Sequence, residues 1–170
     1  ANSVRKQSEK VVVKVMGSVV PAKNIELSSR VTGEIVEVSP RFVPGGHFLA
    51  GEKLLQIDQK DYLLALEQRR SELVQAQRDL RLEMGQQSVA RREYELLATE
   101  VEEEDMELLL RQPQLDMAKA AVSAAEAALE KAQLDLDRTI IAAPFNSIVQ
   151  ERNVDLGSPV SAGTTLASLV

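Results

Sequence analysis

The chain has 170 residues with Lys+Arg 20 against Asp+Glu 26, a formal net charge of -6, 3% aromatic residues, no tryptophan and no cysteine. Scattered positive charge and few aromatics argue against a nucleic-acid surface, and the lack of cysteine excludes disulfides and thiolate metal sites. No apolar run approaches the ~20 residues a membrane helix needs, and the start has no signal-peptide pattern, so any export or anchoring segment is expected outside this chain.

In chain order, Ala1 to Lys10 is polar and is expected to be disordered, and Val11-Val12-Val13-Lys14-Val15 is a β-branched run of strand length. From Ile25 to Asp58 short strand patterns alternate with turns: Ile25-Glu26-Leu27, then Gly33 to Val38, then the turn Val43-Pro44-Gly45-Gly46, then Gly51 to Asp58. Val31, Ile35, Leu54 and Ile57 are spaced to point inward from a half-buried sheet.

Asp61 to Asp137 then reads as a long helical run, interrupted only by Gly85 and Pro113. Leu66, Leu73, Leu80 and Tyr94 lie on a seven-residue comb that Gln87 breaks, with Ala76, Ala90 and Leu97 between them. Leu115, Ala118, Val122, Ala125, Leu129, Ala132 and Leu136 follow at alternating spacings of three and four. Both are coiled-coil seams, and the nearest partner for each is the other. The comb stops around Ala98 to Glu102, where Thr99 and Glu102 read as a capping box and Glu102 to Asp105 as an acidic first turn. Folding back there gives two arms of roughly 37 residues, about 55 Å long. Pro113 predicts either a kink or a fresh helix start with the proline in its first turn.

After the hairpin the β pattern returns. Gly45, Phe48, Gly51, Leu54 and Ile57 are matched at one constant offset by Gly157, Val160, Gly163, Leu166 and Leu169, and Val31, Thr32, Gly33 and Ile35 by Phe145, Asn146, Ser147 and Val149 at nearly the same offset. This internal repeat predicts two β halves, each too short to bury a face alone, closing on each other as a sandwich. The fold class is therefore α+β: one sandwich from two sequence-separated halves, with a long antiparallel helical hairpin inserted between them. The expected divisions are an N-terminal arm and strand over 1–24, a first half over 25–60, the hairpin over 61–138 with its turn near 98–102, and a second half over 139–170.

The stretches Val31 to Pro40, Phe42 to Gly46, Gly51 to Asp58 and Asp61-Tyr62, with Leu136 to Phe145 beyond the hairpin, resemble the HlyD-like membrane fusion proteins. These are the periplasmic adaptors of tripartite efflux pumps, and the likeness is to those serving resistance-nodulation-division (RND) transporters. The resemblance covers Val12 to Val170. It implies that the β halves form a biotinyl/lipoyl-like sandwich, and that the chain links an inner-membrane RND transporter to a TolC-type outer-membrane channel. It further implies self-association into a ring, and a periplasmic location with attachment to the inner membrane through a segment absent here. The family's β-barrel and membrane-proximal domains are not in this sequence. Its channel-contacting tip motif, R-x3-L-x6-S, is matched by Arg92 and Leu96, but its third position falls on Glu103. That departure implies either a different channel specificity or a differently built turn. A second departure, Asn146-Ser147 in place of Asp-Gly, is expected to touch only a turn.

No catalytic, cofactor or metal site is expected. The lone His47 has no catalytic partner nearby in sequence, Glu102 to Asp105 point different ways around a helix, and the four methionines are scattered. Lys60 opens a helix instead of capping the tight β-turn on which carrier domains display a modified lysine. The remaining readings are an adaptor of an ABC-type or protein-secretion system, a carrier domain, and a coiled-coil scaffold without a transport role.

Overall fold

The computed structural model describes residues 12–18, 20–97 and 103–170; of 97 and 103–105 it describes the backbone alone. Among the described residues eleven elements follow in order: β1 Ile25–Ser28, β2 Gly33–Val38, β3 His47–Phe48, β4 Lys53–Ile57, α1 Lys60–Leu97, α2 Glu103–Leu109, α3 Gln112–Asp137, β5 Ile140–Ala142, β6 Ser147–Arg152, β7 Pro159–Val160 and β8 Thr165–Leu169.

The strands form two four-stranded sheets, β1-β8-β6-β3 and β5-β4-β2-β7. Each sheet takes two strands from each half of the chain, so neither half completes a sheet by itself. The exchange is reciprocal. Gly33 of β2 pairs with Val160 of β7, and its repeat mate Ser147 of β6 pairs with Phe48 of β3. Ile35 opposes Ile57, and Val149 opposes Leu169. The turns obey the same symmetry: Gly45 N–H donates to the Val149 carbonyl at 2.7 Å, and Gly157 N–H to the Ile35 carbonyl at 2.8 Å. The four repeat glycines Gly45, Gly51, Gly157 and Gly163 all have φ between 81 and 91°, a conformation that costs side chains with a Cβ and leaves glycine free. This is why the repeat is spelled in glycines at the turns and in apolar residues between them.

One core lies between the sheets. Ile35, Phe42, Leu54, Leu55, Ile57, Leu166 and Leu169 are wholly buried, and Tyr62 at the start of α1 packs against this cluster. The inward positions Val31, Ile35, Leu54 and Ile57 are all buried as their spacing predicts.

The sequence pattern fails in two places. No regular secondary structure is present over 12–18, and Val12, Val13 and Val15 are 71%, 73% and 84% exposed. The β-branched run has strand propensity but no strand to pair with among the described residues, and propensity without pairing leaves the backbone groups to water. Ser147 is the second: it does not merely touch a turn, but opens β6 and is buried, with no hydrogen-bond partner for its hydroxyl among the described residues.

Candidate partner-contact surface

Between β4 and β5 the chain leaves the sheets as α1 and returns as α2 and α3. The root is tied tightly. Asp58 Oδ1 accepts the Lys60 N–H at 3.0 Å, supplying a partner for one of the donors a helix start leaves free. Gln59 Nε2 donates to the buried Thr139 hydroxyl at 2.7 Å, and that hydroxyl donates to the Leu136 carbonyl at 2.6 Å. The Ile57 N–H donates to the Thr139 carbonyl at 2.8 Å, so the two strands and the two helices meet on one residue.

Outward from the root, α1 and α3 run side by side in opposite directions. Ala76 lies near Ala118 and Ala121, Glu83 binds Arg111, and Gln87 Nε2 donates to Gln112 Oε1 at 3.2 Å. Every described position of the two seams is shielded on its inner side, and Leu115 is only 7% exposed. Gln87, where the comb breaks, still faces inward and finds a polar partner in Gln112.

The returning arm is broken, as Pro113 requires. A continuous helix would bring the proline ring against the carbonyl four residues back. Instead α2 ends at Leu109, Arg111 takes a left-handed conformation at φ 55° and ψ 29°, and α3 restarts with Pro113 in its first turn. The stretch from Glu103 to Leu109 is regular helix. Arg111 then reaches across to α1, where its Nε and Nη2 donate to Glu83 Oε1 and Oε2 at 2.7 and 3.0 Å. The guanidinium holds the Glu83 carboxyl below its usual value, and the carboxylate raises Arg111 above its own. The Glu83 side chain is 14% exposed. A fork meeting a carboxylate in two parallel hydrogen bonds is the strongest geometry an exposed ion pair offers.

Beyond this break lies an apolar surface. Leu82, Val89 and Leu96 follow one another at seven-residue steps and are 60%, 54% and 85% exposed. They sit two residues out of phase with the buried comb, about 200° around the helix, and so turn away from α3. Leu108 and Leu109 of α2 are exposed beside them, and a shallow groove of about 700 Å³, open to solvent, lies between Leu82, Val89 and these two leucines.

Of the three residues the tip motif assigns, Arg92 and Leu96 are both exposed and lie one turn apart on one side of α1. Glu103 begins α2, and its side chain lies outside the described residues, as do the turn at 98–102, the capping pair Thr99 and Glu102, and the side chains of the acidic cluster. The exposed comb of Leu82 and Val89 was missed by sequence reasoning: its seven-residue step is present in the sequence, but the same step marks the buried comb, and exposure is what separates the two. Among the described residues no three His, Asp or Glu side chains converge on a point that could hold a metal, and no helix is long and apolar enough to cross a membrane. His47 is exposed on β3.

No family model matches the chain. The chain is 32% identical over 155 residues to the multidrug resistance protein MdtA of Klebsiella pneumoniae, a match that takes in 91% of this chain and 36% of that protein. It thus spans about a third of that relative's length. Among solved structures, a MacA-MexA chimera containing the Pseudomonas aeruginosa MexA α-hairpin domain superposes with a TM-score of 0.62 at 20% identity, covering 87% of this chain and 48% of the other. The periplasmic adaptor protein EmrA superposes at 0.55 and 17% identity, covering 87% and 72%. In sequence the chain is similar to a stretch of the multidrug resistance protein MdtA, and in fold to a chimera containing an α-hairpin domain and to the periplasmic adaptor protein EmrA.

Proposed function

We propose that this chain is the hairpin-bearing part of a periplasmic adaptor that links an inner-membrane RND-type transporter to a TolC-type outer-membrane channel. The observation that carries the reading is the exposed seven-residue comb of Leu82, Val89 and Leu96 on the side of α1 away from α3. A comb of that step is one half of a coiled-coil seam and is satisfied by a helix from another molecule. The similarity to MdtA over 91% of the chain supports the same reading.

In this proposal the two sheets are a biotinyl/lipoyl-like sandwich, with its halves at 25–60 and 139–170, and 61–138 is the antiparallel hairpin that provides reach. The segment 1–24 leads from the adaptor's remaining domains. Arg92, Leu96 and Glu103 form the channel contact. The whole adaptor resides in the periplasm, attached to the inner membrane by a segment outside this chain, and several copies pack into a ring. Its role is mechanical linkage, not catalysis.

The test is capture of a TolC-type channel from solubilised outer membrane by this chain fused to a ring-forming carrier, which supplies the avidity of an assembled ring. An Arg92→Asp, Leu96→Ser double variant runs alongside. Capture by the parent and its loss in the variant support docking through this face. Equal capture moves the contact elsewhere on the hairpin. No capture by either oligomer leaves the scaffold reading in its place.

A further inference from the structure

We infer that Glu83 and Arg111 are a positioning pair that sets the direction in which α2 leaves α3, and with it the spacing between Leu82 and Val89 on one side and Leu108 and Leu109 on the other. The inference rests on the proposal that this outer face docks a channel; the clamp itself rests on geometry alone.

Two observations combine. Pro113 obliges the returning helix to break but does not dictate where the preceding segment points. Arg111 sits at the break with φ 55°, a conformation that disfavours any residue with a Cβ. Within its own segment the Arg111 N–H donates to the Leu108 carbonyl at 3.1 Å and its carbonyl accepts the Leu115 N–H at 3.0 Å, but its side chain makes no capping bond to α3. What holds that side chain is on the other arm. The guanidinium is locked by two hydrogen bonds to Glu83, a residue on the flank of α1 next to the exposed comb. Because Arg111 also lines the groove between Leu82 and Val89 on one side and Leu108 and Leu109 on the other, the same side chain fixes the backbone turn and walls that groove. Gln87 and Gln112 add one further bridge next to it.

The chain has no cysteine, so pairs introduced by mutation label uniquely. Spin labels at Gln86 and Glu107 report the α1 to α2 distance, and labels at Ser71 and Ala127 report the stem, in the parent, Glu83→Ala, Arg111→Gly and the reversed pair Glu83→Arg, Arg111→Glu. Arg111→Gly retains the freedom to adopt positive φ and removes only the clamp. The expected result is a displaced or broadened Gln86–Glu107 distribution in both single variants, an unchanged stem distribution, and recovery in the reversed pair. A distribution in Glu83→Ala identical to the parent's, or a reversed pair that behaves like the single variants, overturns the clamp. Channel capture by the same variants separates the two ideas. A several-fold loss in Glu83→Ala with recovery on reversal supports both, while an altered distance with unaltered capture keeps the clamp and overturns docking through this face.

Discussion

Gln59 and Thr139 meet at the root of the hairpin, the amide nitrogen 2.7 Å from a hydroxyl that is wholly buried. Because the Thr139 hydroxyl also donates a hydrogen bond to the Leu136 carbonyl and its own carbonyl accepts the Ile57 N–H, this residue couples the strands to both helices. Thr139→Val keeps the shape and removes the hydroxyl, leaving the Gln59 amide and the Leu136 carbonyl without it. We expect a loss of about 1–3 kcal/mol, measured by chemical denaturation. A Thr139→Ser variant retains the oxygen and is expected to lose less; no loss in Thr139→Val would mean that the hydroxyl contributes nothing.

The Glu83–Arg111 pair predicts an acid-sensitive step. The folded-state pKa of Glu83 is lowered by hydrogen bonds from Arg111 and by its charge, so the unfolded chain takes up a proton first. The stabilisation is fully present above the ordinary glutamate value of 4.5 and is lost as pH falls through the lower folded value. Thermal melts of the parent and Glu83→Gln are therefore expected to differ at neutral pH and to converge below pH 4.5. A difference that persists unchanged into that acidic range would show that the charge is not what stabilises the pair.

Gly45 and Gly46 are neighbours with opposite tolerances. A Cβ on Gly46 would stand 1.9 Å from the Arg41 carbonyl oxygen, whereas one on Gly45 meets nothing within 4 Å but must accept φ +85°. Gly45→Ala is expected to cost about 1–2 kcal/mol from the backbone alone. Gly46→Ala should cost more and shift the turn, because a backbone atom cannot swing aside. Comparing midpoints of denaturation decides the order, and a reversed order would overturn the account of this turn.

Leu115 and Leu96 are two leucines of the hairpin with different duties. The first is 7% exposed on the inner seam, and the second is 85% exposed. Leu115→Ala is expected to cost about 2–4 kcal/mol, while Leu96→Ser stays within about 0.5 kcal/mol of the parent and loses channel capture. If Leu96→Ser unfolds the hairpin by circular dichroism, Leu96 belongs to the core and not to a contact face.

The sequence is most legible where one physical rule acts alone. Seven-residue combs locate the seam because burial between helices demands that period, and even the odd residue Gln87 keeps the phase. The glycine and leucine repeat locates the β halves because positive φ at Gly45 and Gly157 and burial at Leu54 and Leu166 are fixed residue by residue. What the pattern does not carry is partnership. Val12 to Val15 has the residues of a strand and no paired strand among the described residues, and β3, β5 and β7, two or three residues long, are strands only because others lie beside them. Arg111 reads as an ordinary helical residue until Pro113 downstream and Glu83 across the hairpin are considered together. Of the candidate face, Arg92 and Leu96 came from resemblance, while Leu82 and Val89 emerge only when exposure distinguishes one comb from the other.

The reciprocal strand exchange also has a kinetic side. Ile25 of β1 pairs with Leu169 of β8, so β1 has no partner until β8 has been synthesised. The intervening helices are local structures that can form within microseconds, whereas joining these two strands requires closure of a loop that contains them. A hairpin already formed shortens that loop, because it brings Ile57 and Ile140 together before any long-range pairing begins and lowers the entropy lost on closure. Helix pairing would then act as the folding scaffold for the sheets, and variants that loosen the α1–α3 seam should slow refolding of the β domain, although they lie far from its core.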